Sequence, residues 1–355
     1  MGLINITPTI RIEANNKDIT DIIKERFVSL KITDESEYQS DIAEITLADH
    51  KPDARIKMPP TGAELRIWVG YDEKATDMGL WIVDEIRLAG PPDSMTLVAR
   101  AAPFMKSMKG RLALTSHRNR TWPAGTTIGG MVKKMADKSK LEAKVSSTMA
   151  GIVLPHIAQI NQSDLDLLTK LIPKYFGIAT VKNGAIVVTS LAESKTGLTN
   201  SEIPPITLVP SDVTSYQTSV KSRGQYGKVI AKYRDYKTST DKQVVVGDEE
   251  PVLRLPFTLP NMDSAYNSAK AKYMNGKRGL QEVSLTLPGR TDIFAERRLV
   301  LTGFRDELSG EWKIKRVEHQ IDQGGYSCSV TLAVNITNED IPPVSESDES
   351  EDDEE

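Results

Sequence analysis

The residues best equipped for chemistry are four histidines (His50, His117, His156, His319), one cysteine (Cys328) and the glycine-rich run Gly125-Thr126-Thr127-Ile128-Gly129-Gly130. Grouped His and Cys would hold zinc, and a Ser-His-Asp order cannot be argued from single residues. The histidines are far apart in sequence and no motif surrounds any of them, so surface or partly buried structural roles are expected; His319 falls in a strand beside Glu318. Cys328 lies in the alternating run Tyr326-Ser327-Cys328-Ser329-Val330 and reads as a small apolar residue facing a sheet core. A lone thiol forms no internal disulfide, and scattered histidines supply no zinc cluster. The glycine run opens a helix, but a phosphate loop has the form G-x-x-x-x-G-K-S/T, and no Lys-Ser or Lys-Thr follows Gly130. No G-x-S-x-G elbow occurs. Carboxylate pairs such as Asp352-Asp353 lie in a terminal acidic run that cannot hold them for acid–base work. The chain is therefore expected not to be an enzyme, with no catalytic, cofactor-binding or metal-binding residues and no cofactor.

Charge points to partners rather than substrates. The net charge is −4 over 355 residues, but Ser345–Glu355 contains eight acids and no base, and without it residues 1–344 carry +4. That body is too weakly basic for a dedicated nucleic-acid binder. The segment Lys221, Arg223, Tyr226, Lys228, Lys232, Tyr233, Arg234, Tyr236, Lys237 interleaves bases with rings, as a single-strand binder would; the alternative is one solvated strand face or an intersubunit surface. Lys106, Lys109, Arg111, His117, Arg118 and Arg120 form a second basic stretch, a possible seat for an acidic partner or a neighbour's acidic tail. The tail follows Pro342-Pro343 and reads as disordered. No apolar run reaches the ~20 residues of a membrane-spanning helix, and Met1–Ile12 shows no secretory pattern, so synthesis in the cytoplasm and no membrane insertion are expected.

The elements that would carry these residues are mostly strands. Period-two alternation runs through Ile10/Ile12, Val28/Leu30/Ile32, Ala63/Leu65/Ile67/Val69 and Met95/Leu97/Ala99, the pattern of antiparallel strands with one buried face. A short helix is expected over Ile19–Lys24, and Gly90-Pro91-Pro92-Asp93 marks a turn. From about 104 the period changes. Thr126 is placed to cap a helix bearing Ile128, Met131, Val132 and Met135, and Ser163 caps one bearing Leu165, Leu168, Leu171 and Ile172, which Pro173 ends. Asn183-Gly184 marks a hairpin. Thr196–Pro210 reads as a linker, after which alternation returns at Val229/Ala231/Tyr233, Val283/Leu285/Leu287 and Tyr326–Val334, interrupted by a helix near Ser264–Tyr273. Gly79-Leu80-Trp81-Ile82-Val83 and Gly310-Glu311-Trp312-Lys313-Ile314 share glycine, tryptophan and aliphatics at equal offsets, each before a turn and an alternating strand. That layout suggests a duplicated β-module with an α/β unit between the copies.

Gly90-Pro91-Pro92-Asp93, Ala99-Arg100-Ala101-Ala102, the Thr126–Leu141 helix, Gln162–Leu168, Tyr175-Phe176-Gly177 and Trp312–His319 with Gly325-Tyr326 come in an order that resembles the late control D proteins of temperate contractile-tailed phages. The resemblance spans about 75–335 and leaves out the acidic end. It implies a hub like those of larger contractile phages, contractile bacteriocins and type VI secretion spike proteins. It further implies a mainly β fold with an α/β insert: two tail-tube-like antiparallel β-barrel modules (1–103 and 211–341, the second with one helix), a middle domain and linker at 104–210, and the tail at 342–355. The implied function is a structural baseplate hub, a homotrimer making a pseudo-sixfold ring between the sixfold tail tube and the threefold spike. Implied partners are the spike, the tube, and tape-measure or other baseplate proteins, with the virion baseplate as location after assembly in the host cytoplasm. The rival readings are a DNA-binding late-gene regulator, disfavoured by the weak charge and the lack of a basic recognition helix, and a hub carrying a cell-wall hydrolase, for which no unassigned segment remains.

Overall fold

Alternating apolar side chains drive most of this chain into strands, because a pleated strand buries every second residue. The computed structural model describes residues 7–36, 41–72, 74–101, 114–182, 185–190, 204–220, 226–236, 238–278, 281–334 and 344–348. The first seven strands are β1 (Pro8–Ala14), β2 (Lys17–Asp18), β3 (Phe27–Glu35), β4 (Ile42–Ala48), β5 (Glu64–Tyr71), β6 (Lys74–Ala89) and β7 (Ser94–Ala101), with α1 (Thr20–Lys24) before β3. Next come β8 (His117–Trp122), α2 (Ile128–Ser139), β9 (Glu142–Val145), α3 (Ser147–Ala150), β10 (Ile157–Ser163), α4 (Asp164–Leu171), β11 (Gly177–Lys182) and β12 (Ala185–Ser190). The remainder holds β13 (Ile206–Leu208), β14 (Ser215–Val220), β15 (Lys228–Asp235), β16 (Thr240–Gly247), β17 (Val252–Arg254), α5 (Met262–Arg278), β18 (Gln281–Pro288), β19 (Arg298–Leu301), β20 (Gly310–Asp322), β21 (Gly325–Val334) and β22 (Val344–Asp348).

These elements form two compact units, one of Met1–Met105, Pro205–Thr218 and Val283–Leu332, the other of Lys106–Pro204, Ser219–Glu282 and Ala333–Glu355. The first unit is built on a 13-stranded sheet. Its two halves repeat one plan. Strand neighbours run β1-β5-β6-β7-β4-β3 in the first half and β13-β19-β20-β21-β18-β14 in the second. Matched in chain order, these six strands of one half each have a counterpart in the other, and only β2, beside β1, has none. The equivalent tryptophans Trp81 and Trp312 are buried, 3% and 5% exposed. Each stands two residues after a glycine with positive φ, Gly79 (98°) and Gly310 (138°), a conformation costly for any residue with a Cβ. Both long strands also change phase at the same point. In β6 the register slips between Val83 and Glu85. In β20 burial passes from Trp312 and Ile314 to Val317, His319 and Ile321, a change of parity at the equivalent place. The copies differ where β1 meets β5 antiparallel but β13 meets β19 parallel.

The halves are joined by β3 and β20, antiparallel from Arg316↔Glu35 to Asp322↔Ser29. The mainly β reading with an α/β insert holds. Among the described residues neither half closes its own strand order into a ring, since the edge of β3 is taken by β20 of the other half.

In the second unit, residues 219–282 cluster with 106–204 instead of with the β-module that the sequence suggests for 211–341. The physical reason is a shared core: Val229, Ala231 and Tyr233 of β15, Val244 and Val246 of β16 and the small face of α5 (Ala265, Ala269) pack with Phe176 and Ile178. The segment expected to be a linker contains β13, because Ile206 and Leu208 are buried between the prolines. The tail also departs from expectation. Residues 344–348 form β22, antiparallel to β16 from Val246↔Val344 to Lys242↔Asp348. Backbone pairing along a valine-rich edge needs no apolar side chains from the added strand. The remaining tail residues, 342–343 and 349–355, lie outside the described residues, as do Asn183-Gly184; Lys182 and Ala185, on either side of that pair, are antiparallel partners.

Trp81→Ala and Trp312→Ala are each expected to destabilise the protein by ~3–5 kcal/mol, read by urea denaturation. The Trp312 indole donates to the Leu308 carbonyl at 2.8 Å, whereas the Trp81 indole nitrogen has no hydrogen-bond partner among the described residues. Trp312→Phe should therefore cost about 1 kcal/mol more than Trp81→Phe.

Candidate functional site

One group of side chains has the composition of an active site. The single cysteine lies against a histidine: Cys328 Sγ is 3.1 Å from His319 Nδ1, which is 2.9 Å from the Tyr326 hydroxyl. The Arg290 amide donates to Sγ at 3.2 Å. The Tyr71 ring lies 5.4 Å from that of Tyr326. Sequence reasoning placed Cys328 in a sheet core, where it is, but did not pair it with His319. The signal was available: β20 ends at Asp322 and β21 begins at Gly325, so positions 319 and 328 stand equally far from a two-residue connection and face each other across a hairpin.

Electrostatics decides what this group can do. Cys328 is 0% and His319 1% exposed. Burial pushes the thiol up to about 11 and the imidazole down to about 4, and burial likewise raises Tyr326. A reactive cysteine needs the thiolate. Here both partners are held neutral at physiological pH, within the buried core of the sheet. The group acts as a polar peg within the sheet.

The other candidates resolve in the same direction. Asp164, fully buried at the start of α4, accepts from Arg120 at 2.6 Å and Gln159 at 2.9 Å and pairs with Arg118 at 3.5 Å. The Arg120 guanidinium also covers the Trp122 ring at 4.3 Å. The stretch expected to offer Arg118 and Arg120 to an acidic partner thus turns both inward, because a buried carboxylate has to be paired; Lys106, Lys109 and Arg111 lie outside the described residues. In the basic–aromatic stretch Tyr233 belongs to the core and Arg234 is paired with Asp241 at 2.8 Å, while Tyr236 is exposed; Lys221, Arg223 and Lys237 lie outside the described residues. The glycine run serves packing. Thr127, not Thr126, caps α2 by accepting from the Gly130 amide at 3.1 Å, the donor a phosphate would have needed. A Cβ on Gly129 would stand 3.1 Å from the Ala150 carbonyl.

What the geometry does present is strand edges and joined surfaces. At the β3–β20 junction Lys31 pairs with Glu318 at 2.9 Å and Arg316 with Glu35 at 3.3 Å. The Ala295 amide donates to Asp34 at 2.8 Å. Backbone pairing, a buried apolar face and flanking ion pairs together make this a module-to-module interface contained in one chain.

No family model matches the chain. It is 28% identical over 389 aligned residues to the probable baseplate hub protein of Escherichia phage 186, and 28% identical over 387 to that of Escherichia phage P2, covering 97% of this chain and 97% of each relative. Among solved structures it resembles the 43 kDa tail protein of prophage MuSo2 from Shewanella oneidensis, with a TM-score of 0.69 at 13% identity over 93% of this chain and 99% of that one. The two relatives uphold the resemblance to phage tail hub proteins drawn from the sequence over about 75–335, and extend the similarity to 97% of the chain.

Two outcomes follow from the buried groups. The unfolded chain takes up a proton at His319 near 6.5 and the folded chain only near 4, so this residue's contribution is intact above 6.5 and falls away as pH drops towards 4, by about 3 kcal/mol in all. Denaturation at pH 7, 5.5 and 4 should show that slope, and His319→Gln should flatten it. Separately, Asp164→Ala leaves two guanidinium groups without their buried carboxylate and should cost ~3–5 kcal/mol in urea denaturation.

Proposed function

We propose that this chain is a structural baseplate hub protein of a contractile phage tail. It assembles as a homotrimer whose six β-modules form a pseudo-sixfold ring between the sixfold tube and the threefold spike. The observation that carries the reading is the duplication: two halves with the same strand order, the same Gly-x-Trp start and the same phase change, joined edge to edge in one sheet. A chain with two equivalent modules converts threefold into near-sixfold symmetry at no cost in extra subunits, and closed cyclic assembly is the ordinary outcome for identical subunits. The end-to-end similarity to two probable baseplate hub proteins supports the same reading. On it, the partners are the spike, the tube and neighbouring baseplate or tape-measure proteins, the location is the virion baseplate after assembly in the host cytoplasm, and the role is mechanical, with the buried Cys328–His319 pair uncommitted to catalysis.

The test is the mass of the purified protein in solution, alone and with a spike protein, followed by averaged electron images down the axis. Three chain masses and a six-lobed ring with a central opening are expected. A particle that stays monomeric in both mixtures, or a twofold dimer, overturns the reading.

A further inference from the structure

The repeat carries more than a count, because it makes one half a template for what the other half lacks. By strand order, β14 is the counterpart of β3 and β6 is the counterpart of β20. Within the chain β3 pairs with β20 over Arg316–Asp322. The counterpart pair, β14 with β6, is not made among the described residues. Strand β14 has β18 as its sheet neighbour and ends the strand order. Strand β5 follows β6 only as far as Glu64↔Ile82, with a last bond from the Gly62 amide to the Val83 carbonyl at 2.7 Å. From Asp84 to Ala89, β6 keeps β7 on one side and has no described strand on the other.

Burial marks the same difference. Counting from the two tryptophans, Arg316, Val317, Glu318 and His319 correspond to Glu85, Ile86, Arg87 and Leu88. His319, beside β3, is 1% exposed; Leu88, at the equivalent place on the open stretch, is 61% exposed. Proteins that keep an edge strand free blunt it with lysine, proline or inward charge. Asp84–Ala89 has no lysine or proline, and its charges are tied to side chains of its own half: Arg100 to Asp84 at 2.8 Å, Arg87 to Glu44 and to Glu85 at 3.0 Å. Strand β14 reads Ser-Tyr-Gln-Thr-Ser-Val and carries no charge to oppose them. Its Tyr216 is half exposed and packs edge-on against Phe304 at 5.6 Å, leaving an aromatic surface beside the open edge.

We propose that β14 of one copy adds as an antiparallel strand to β6, over residues 84–89, of a second copy of this chain, repeating between chains the β3–β20 pairing made within each. Leu88 is then covered as His319 is. The interface is head to tail: every chain offers one β14 and one β6 edge, so junctions within and between chains alternate around a closed ring and neither of these two edges is left over. This deepens the hub reading by naming the edges through which copies join, and rests on that reading only for the number of copies.

The test uses the full-length chain. Leu88→Cys is combined with a cysteine at each position from Ser215 to Ser219 in turn, and the assembled protein is oxidised. At least one combination is expected to give reducible covalent dimers and higher species, while a control pair across the internal junction, Lys31→Cys with Gln320→Cys, closes without change of mass. Leu88→Lys, at an exposed position, should leave the melting temperature and circular dichroism unchanged and weaken self-association by about tenfold or more. A trimer that forms no such cross-link and is indifferent to Leu88→Lys overturns this inference and leaves the hub reading standing. A chain that never self-associates, with or without a spike protein, overturns both.

Discussion

The first unit depends on one strand-to-strand contact, the antiparallel pairing of β3 with β20. It brings residues 29–35 against 316–322, nearly three hundred positions apart in the chain, and turns two half-sheets into one. Its inner face is apolar, with Leu30 and Ile32 on one strand and Val317 and Ile321 on the other, all buried. At roughly 1.5–3 kcal/mol for each such side chain removed from water, this face outweighs the ion pairs at its margin, which are partly solvated and contribute little each. The ion pairs do something else. Lys31 against Glu318 and Glu35 against Arg316 penalise a slipped register, since a shift of one residue would also turn the buried set outward.

Because the junction joins β3, the end of the first half's strand order, to residues 316–322 of β20, the chain between them is free to do other work. Two long segments leave the sheet, one between β7 and β13, the other between β14 and β18, and together they build the second unit around a common core. Alanines 265 and 269 let α5 lie close on β15 and β16, with Tyr273 and Met274 filling the remaining space. Neither segment interrupts a pairing that the first unit needs. A duplicated β-module can therefore carry a large insertion at the seam and another inside one copy.

How much of this was legible depended on the range of the interaction. Strands with clean alternation were readable from local sequence, and most residues expected to face inward, among them Leu65, Ile67, Val69, Tyr326, Cys328 and Val330, are buried, whereas Val28 is exposed and Ile10 half-buried. The caps were readable to within a residue, Ser163 correctly and Thr126 in place of Thr127. The Gly-x-Trp repeat was visible as four matched positions, but the proof of duplication is strand order, which no local pattern contains. Strand β13 was hidden because its three residues, within a four-residue run between prolines, are too few to show a period. Arg118 and Arg120 were misjudged as a surface because their partner, Asp164, lies over forty residues on, and charge in sequence does not say whether its complement is solvent or a buried carboxylate.

The polar residues of the core show how burial governs groups that could otherwise do chemistry. A thiol within hydrogen-bonding distance of an imidazole, with a phenol alongside, is the raw material of nucleophilic catalysis. Here β3 and the neighbouring strands bury it, and without water both thiolate and imidazolium lose their stabilisation. The same burial that silences the chemistry tightens the sheet, because His319, Tyr326 and Cys328 satisfy one another and the Arg290 backbone instead of leaving a polar atom stranded. At the equivalent place in the other half the chain has Leu88, facing outward. A site sealed within the chain tolerates a closed polar network fixed by its neighbours. A site that must be covered by a separate surface is better served by an aliphatic side chain, which gains from burial without requiring a partner of matching geometry. On the proposed assembly, the divergence between His319 and Leu88 is what two copies of one module would acquire once one edge is closed during folding and the other is left for a second copy.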